Sequence, residues 1–154
     1  MATTSKTVAS PIGHWTVEGD DDGITRIWMP SERLRATRGP VAKPVSRVAE
    51  QLAEYFAGRR RSFDADLHVE GTDFQVDVWL ALTDIPYGEV RTYGEIASAV
   101  RRPHAYRAVG NANGKNPFPI VVPCHRVVAS SGIGGYAGGL DIKRFLLALE
   151  GVTA

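Results

Sequence analysis

Two kinds of local pattern meet near Gly71, and their order along the chain constrains the fold class most strongly. Before Gly71, short runs of alternating apolar residues predict three strands at residues 6–9, 14–18 and 24–29. Turn-forming residues at 11–13 and 20–23 separate these strands. After Gly71, apolar residues recur at helical spacing. We therefore expect a small antiparallel meander at the start of the chain and a mainly helical part after Gly71.

Five helices are predicted. The first begins at Pro44 and ends at Gly58. Capping boxes, in which two side chains satisfy free backbone N–H groups, begin the second and third helices: Thr72 with Gln75, and Thr92 with Glu95. Pro103 and Gly114 bound the fourth helix, and Asp141 caps the fifth. The expected inner faces comprise Val45, Val48, Ala49, Leu52 and Phe56; Phe74, Val78, Ala81 and Leu82; Ile96, Ala99 and Val100; Ala105, Ala108, Val109 and Ala112; and Ile142, Phe145, Leu146 and Leu149.

Composition excludes several classes of protein. A chain of 154 residues suits one domain or two small subdomains that share a core. Its single cysteine excludes an intramolecular disulfide and a zinc cluster built from thiolates. The first residues lack the pattern of a secretory signal, and no apolar run has membrane-spanning length. We expect a soluble, cytoplasmic protein.

Charge is unevenly distributed although the net charge is only +1. Residues 96–140 contain no Asp or Glu, but five cations: Arg101, Arg102, Arg107, Lys115 and Arg126. Two short helices joined by residues 101–103 have the layout of a helix-turn-helix. Small residues beside Arg107, namely Ala105, Ala108 and Gly110, suit close approach to a DNA minor groove. Two alternatives remain: the alanines are equally compatible with packing against a neighbouring helix, and the cations are equally compatible with a solvated face.

The only cysteine, Cys124, lies between two β-branched runs and directly before His125 and Arg126. A thiolate is the nucleophilic form of cysteine, and a neighbouring base or cation favours it. Adjacent residues of a strand point to opposite faces, so His125 reaches the sulfur only through a turn or a bridging water. The alternatives are a buried apolar cysteine and a thiol hydrolase. A glycine-rich segment, 130–139, follows, and it lacks the spacing of a phosphate-binding loop.

Residues 123–127, Pro-Cys-His-Arg-Val, resemble the signature of the methylated-DNA–protein-cysteine methyltransferases, also called O6-alkylguanine-DNA alkyltransferases. The resemblance covers residues 72–151 and, more loosely, the N-terminal part, where residues 10–13 are also typical. It implies an α/β (α+β) fold: a ribonuclease-H-like, three-stranded subdomain at 1–70, packed on a winged helix-turn-helix-like subdomain at 71–154. It also implies a monomer on double-stranded DNA, acting alone or cooperatively, with no membrane involved.

The resemblance assigns a role to each matching residue. Cys124 accepts the alkyl group, His125 takes its proton through water, Glu150 holds His125, Asn116 ties the turn before the active-site strand, and Tyr136 hydrogen-bonds the departing guanine. Tyr93 crowds the DNA backbone and Arg107 fills the gap of the flipped base, with Ala105, Ala108, Gly110, Lys115 and Arg126 as further DNA contacts. Val127, Gly134, Gly135 and Ala137 shape the pocket with Tyr136.

The implied reaction is irreversible transfer of the alkyl group from O6-alkylguanine, with O4-alkylthymine as a second candidate substrate. We expect no cofactor, and no metal, because relatives with zinc bind it through cysteines that are missing here. Two departures from the family pattern are Tyr106, where many relatives carry a small residue, and Ala137, where some carry serine. The alternative is a DNA protein that senses the lesion without transfer, although such relatives have tryptophan in place of the cysteine.

Overall fold

A computed structural model of the protein describes residues 2–32 and 36–153. The chain divides into two compact units, Met1–Val69 and Glu70–Ala154. Among the described residues, no helix is both long enough and apolar enough to cross a membrane.

The first unit contains the predicted antiparallel meander. Strands β1 (Thr4–Ser10), β2 (Gly13–Asp20) and β3 (Gly23–Trp28) pair in the order β1-β2-β3. Helix α1 (Lys43–Phe56) packs on these strands. It begins one residue before Pro44, and Gly58 follows its end with a φ of 75°, as a helix stop requires. The predicted strands and helix are therefore confirmed within three residues at each end.

The core of the first unit forms as the spacing predicts. Four of the five expected α1 positions are buried, and the aromatic ring of Phe56 is half-buried, 5.6 Å from the ring of Trp15. Burial of one such aliphatic side chain contributes roughly 1.5–3 kcal/mol. Gln51 is buried as well, because its amide both donates to and accepts from the backbone of Asp64.

The second unit contains four helices and two short strands among its described residues. In chain order these are α2 (Asp73–Thr83), β4 (Arg91–Thr92), α3 (Tyr93–Ala99), α4 (Tyr106–Gly114), β5 (Val127–Val128) and α5 (Leu140–Leu149). Both predicted capping boxes are present in full, at Thr72 and at Thr92. Strands β4 and β5 pair in parallel, which places the segment after Cys124 beside the start of α3.

Several predicted details of these helices are wrong. Helix α4 begins at Tyr106 instead of near Pro103, because Arg101 has a φ of 62° and the next residues form a turn that holds Pro103. Helix α4 does end at Gly114 as predicted, but Gly139, not Asp141, caps α5. Trp79 and Ala97 are buried where Ala81 and Ala99 were expected, and Ala108 is exposed.

Candidate active site

The segment before Cys124 is a tight turn instead of the expected active-site strand. The backbone N–H of Val122 donates to the carbonyl of Phe118, and Ile120 has a φ of 74°. Asn116 fastens this turn from inside: its amide donates to the Val122 carbonyl at 2.7 Å and accepts from the Phe118 N–H at 2.9 Å. In this segment only Val127–Val128 form a strand. The β-branched residues before Cys124 therefore did not indicate a strand there.

Cys124 begins a single turn of 3-10 helix, Cys124–Arg126. The thiol is buried, with 2% of the residue exposed, and its Sγ lies 3.3 Å from the Tyr136 hydroxyl. The Asn113 side chain donates to the Cys124 carbonyl at 3.2 Å. Burial raises the pKa of the Cys124 thiol, and the hydrogen bonds from Tyr136 and Asn116 oppose that rise. The sulfur is therefore a neutral thiol at rest, with hydrogen-bond donors placed to stabilise a thiolate.

His125 follows in the same turn and is fully buried. Its Nε2 lies 2.7 Å from the Glu150 carboxylate at the end of α5. Burial lowers the pKa of His125, and the Glu150 carboxylate opposes this shift. An ionised carboxylate only accepts hydrogen bonds, so the neutral imidazole carries its proton on Nε2. Nδ1 is then unprotonated, and it has no partner within the described part of the chain.

The Glu150 carboxylate has a second buried partner, the guanidinium of Arg126. Arg126 donates through Nε and Nη2 to its two oxygens at 2.8 and 3.0 Å, and the N–H of Gly88 donates to it as well. The fork geometry of a guanidinium matches a carboxylate well. Because the positive charge of Arg126 balances the negative charge of Glu150, the imidazole of His125 can stay neutral beside the carboxylate. The three side chains form one buried hydrogen-bond network.

The expected role of Arg126 in DNA contact is therefore wrong. Its side chain is 7% exposed, and Nη1 donates to the carbonyl of Ile85 at 2.7 Å. Burial of a charge requires a fixed partner, and here that partner is 24 residues away in sequence, at Glu150. Arg126 positions Glu150 and, through it, His125.

A buried lysine, Lys143, holds the glycine-rich segment that contains Tyr136. This role of Lys143 was not predicted from the sequence. Lys143 of α5 donates to the carbonyls of Val127 and Gly135 at 2.6 and 2.9 Å. Burial lowers the pKa of Lys143 to about 8. The carbonyl of Gly135 also accepts from the Tyr93 hydroxyl at 3.4 Å, and burial raises the pKa of Tyr93. Lys143 thereby joins the pocket segment to β5 and α5.

The expected pocket residues lie around this junction. Val127 is fully buried, Gly135 and Ala137 are exposed, and Gly134 has a φ of 75°. A Cβ at Gly134 would lie 3.0 Å from the Tyr93 ring and hydroxyl, so only glycine allows this close approach. Tyr93, expected at the DNA backbone, is half-buried and borders the pocket as the first residue of α3.

The residues expected at the groove lie on α4 or at its end. Arg107, Ala108 and Lys115 are exposed, and Ala105 and Gly110 are partly exposed. Val109 and Ala112 supply the buried side of the helix. The alternative that all the alanines serve helix packing therefore fails for Ala108. Asn113 and Lys143 were missed because nothing local distinguishes an inward polar side chain on an amphipathic helix.

One group of side chains in the first unit could hold a metal ion. Ligand atoms of Asp20, Asp22 and His68 lie within 4.8 Å of one another. The Asp20 carboxylate accepts from the Asp22 N–H at 2.9 Å and lies 3.1 Å from Nε2 of His68, and these hydrogen bonds lower the pKa of Asp20. The contacts close the turn between β2 and β3, which accounts for this group without a metal.

Comparison with known proteins agrees with the geometry. The family model described as 6-O-methylguanine DNA methyltransferase, ribonuclease-like domain, matches residues 4–69. The model described as 6-O-methylguanine DNA methyltransferase, DNA binding domain, matches residues 73–152. These matches and the three-stranded sheet confirm the expected fold class.

Curated relatives and a solved structure are similar over nearly the whole chain. A methylated-DNA–protein-cysteine methyltransferase of Methanosarcina barkeri is 48% identical, over 93% of this chain and 94% of its own. A protein of the same name from Mycolicibacterium paratuberculosis is 50% identical, over 94% and 90%. The crystal structure of Mycobacterium tuberculosis OGT in complex with DNA is 46% identical and superposes with a TM-score of 0.86, covering 96% of this chain and 92% of that one. The chain therefore belongs to the 6-O-methylguanine DNA methyltransferase family.

Proposed function

We propose that this protein repairs alkylated DNA directly, by moving the alkyl group of O6-alkylguanine onto Cys124. The observation that carries the proposal is the position of the only thiol in the chain, 3.3 Å from the Tyr136 hydroxyl and in the same turn as His125, which pairs with the buried Glu150. A merely structural cysteine needs neither of these neighbours. Relatives named methylated-DNA–protein-cysteine methyltransferase, similar along the whole chain, support the same reaction.

The proposed chemistry is one nucleophilic displacement. Nδ1 of His125 takes the thiol proton through a bridging water, and Glu150 stabilises the imidazolium that forms. The sulfur attacks the alkyl carbon, an S–C bond forms, and the C–O6 bond breaks with its electron pair leaving on guanine. The Tyr136 hydroxyl donates a hydrogen bond to the departing base. The product thioether is stable, so each molecule acts once. The displacement uses only the thiol and the alkylated base, so no cofactor takes part.

The proposed binding mode follows from the exposed side of α4. Arg107 and Lys115 present positive charge there, next to the small residues Ala108 and Gly110, which suits close approach to a minor groove. The O6 atom lies within the base stack, so the damaged nucleotide has to leave the duplex before a protein sulfur reaches it. We propose that a monomer binds double-stranded DNA and that Arg107 occupies the gap. O4-alkylthymine is a second candidate substrate.

The test is the mass of the peptide that contains Cys124 after incubation with duplex DNA carrying one O6-methylguanine. We expect that peptide to gain the mass of one methylene, and the gain to stop at one per molecule. Cys124→Ser should add nothing and leave the lesion in place. Repair by Cys124→Ser, or methylation at another residue, would refute the proposal.

The second candidate is a lesion sensor, which would bind the same duplex tightly and leave the mass of the protein unchanged. The contacts around the sulfur argue against it, because binding alone requires no tyrosine hydroxyl 3.3 Å from a thiol. A thiol hydrolase would instead turn over repeatedly on an ester or amide, whereas alkyl transfer ends after one stoichiometric burst.

A further inference from the structure

Helix α4 exposes a large aromatic side chain that the proposed function has not used. Tyr106 is 54% exposed at the first position of the helix. Among the described residues, only three large hydrophobic side chains are exposed, and the other two, Val69 and Leu80, lie outside α4. Tyrosine is enriched at binding interfaces, because its ring supplies apolar contact area and its hydroxyl tolerates water.

Tyr106 lies on the side of α4 that faces Tyr93. Tyr106 and Gly110 lie one turn apart, so they share one side of α4. A Cβ at Gly110 would lie 3.8 Å from the ring of Tyr93, so this side of the helix faces Tyr93. The Tyr93 hydroxyl in turn reaches the carbonyl of Gly135, next to Tyr136. Tyr106 therefore lies on the row of residues that leads from the outer surface of α4 to the pocket of Cys124.

The charge around the ring matches a polyanion. Arg101, Arg102, Arg107 and Lys115 are exposed, and no acidic residue occurs between 96 and 140. Cations that hold phosphates beside an aromatic ring that stacks on bases are the common arrangement for unpaired nucleotides.

We propose that Tyr106 is a positioning residue for the alkyl transfer: its ring stacks on the base next to the gap that the flipped guanine leaves, and it acts together with Arg107. This inference rests on the proposed function and adds to it a stacking contact made by an aromatic side chain. The ring stabilises only the DNA state in which the damaged base is outside the duplex. In an intact duplex, neighbouring bases cover both faces of each base, so the ring has nothing to stack on.

The test compares Tyr106→Ala, Tyr106→Phe and Tyr106→Leu with the unchanged protein in single-turnover methyl transfer. Rates are measured against the concentration of duplex DNA with one O6-methylguanine, which yields an apparent Kd and a limiting rate. Stacking of a base on an aromatic ring contributes to binding, so we expect the apparent Kd of the alanine variant to rise about tenfold. Phenylalanine should stay within about twofold, because it keeps the ring, and leucine should behave like alanine.

A structural role would give a different pattern. The side chain is exposed, so all three variants should keep the thermal unfolding midpoint of the unchanged protein. A 2-aminopurine next to the lesion should be quenched by the unchanged protein and by Tyr106→Phe, and remain brighter with Tyr106→Ala and Tyr106→Leu.

The two proposals fail in distinguishable ways. If the unchanged protein transfers no methyl group, the proposed function fails. If it transfers the group and Tyr106→Ala has the same apparent Kd, the stacking role alone is refuted. Equal losses in the alanine and phenylalanine variants would also refute it, since the contact would then belong to the hydroxyl.

Discussion

Nε2 of His125 lies 2.7 Å from the carboxylate of Glu150, and that carboxylate also accepts two hydrogen bonds from Arg126. All three side chains are buried. The arrangement determines which nitrogen of His125 carries the proton, and it leaves Nδ1 as the basic atom. The end of α5 thereby lies in the candidate site, although Glu150 follows Cys124 by 26 residues in sequence.

Glu150→Gln should weaken both stability and reaction. The amide cannot balance the charge of Arg126, and a buried charge without its partner costs about 3–5 kcal/mol. We expect a comparable loss in the free energy of unfolding by urea. The single-turnover rate should fall about 100-fold, in the range typical of lost general-base catalysis.

The matched control is Glu95→Gln, which changes an exposed carboxylate at the start of α3. Its effect should stay below about 1 kcal/mol, as for a helix cap, with an unchanged rate. Equal effects of the two substitutions would contradict the assignment of Glu150.

Stability should fall in mild acid because of His125. Burial lowers the pKa of this residue from its ordinary value of 6.5, so the unfolded chain binds the proton more readily than the folded chain. Stability is therefore fully present above pH 6.5 and is lost as the pH falls below it, with a slope that approaches about 1.4 kcal/mol per pH unit for one proton. Urea unfolding between pH 7.5 and 5.5 measures the slope.

His125→Gln should flatten that pH dependence, whatever its effect on absolute stability, because glutamine does not titrate. His104→Gln changes an exposed imidazole and should leave the slope unchanged. A slope that persists in His125→Gln would assign the acid sensitivity to other groups.

Asn116→Ala should loosen the turn that presents Cys124. It removes the bond to the Val122 carbonyl and the bond from the Phe118 N–H. The Val122 carbonyl keeps the Cys124 N–H as a donor, whereas the buried Phe118 N–H loses this acceptor. An unsatisfied buried group costs about 1–3 kcal/mol, so we expect a loss in that range in unfolding free energy. Asn111→Ala, at an exposed position of α4, should cost less than about 1 kcal/mol.

Local chemistry explains which parts of the fold were predictable. Strands β1 to β3 and both capping boxes depend on neighbours within a few residues, and they were predicted correctly. The start of α4 was not, because Pro103 is compatible with a first helical turn and with the turn that Arg101 makes. Sequence alone does not distinguish these two uses of proline.

The candidate site shows the same division. Cys124, His125 and Glu150 were expected together, and the structure brings them together. Arg126 and Lys143 were misjudged or missed, because a buried cation depends on acceptors at distant positions: Arg126 needs Glu150, and Lys143 needs the carbonyl of Val127. Of the five cations counted between residues 96 and 140, Arg126 is therefore buried and adds no charge to the exposed surface.

Gly134→Ala should disturb the pocket specifically. The substitution combines a φ of 75° with a Cβ that would lie 3.0 Å from the Tyr93 ring and 3.1 Å from the backbone of Ala129. We expect a loss of about 1–2 kcal/mol in unfolding free energy, together with slower transfer because Tyr93 is displaced. The same change at Gly132, whose added Cβ would meet nothing within 4 Å, should be nearly neutral.

The burial of Cys124 has a consequence for the lifetime of the protein in a cell. Peroxides and small electrophiles react with exposed thiolates, and this sulfur is neither exposed nor ionised at rest. Under the proposed function each molecule accepts one alkyl group, so a molecule with no second thiol would be wasted by any such encounter. The enclosed thiol is thus protected against accidental oxidation and stays available until DNA damage occurs.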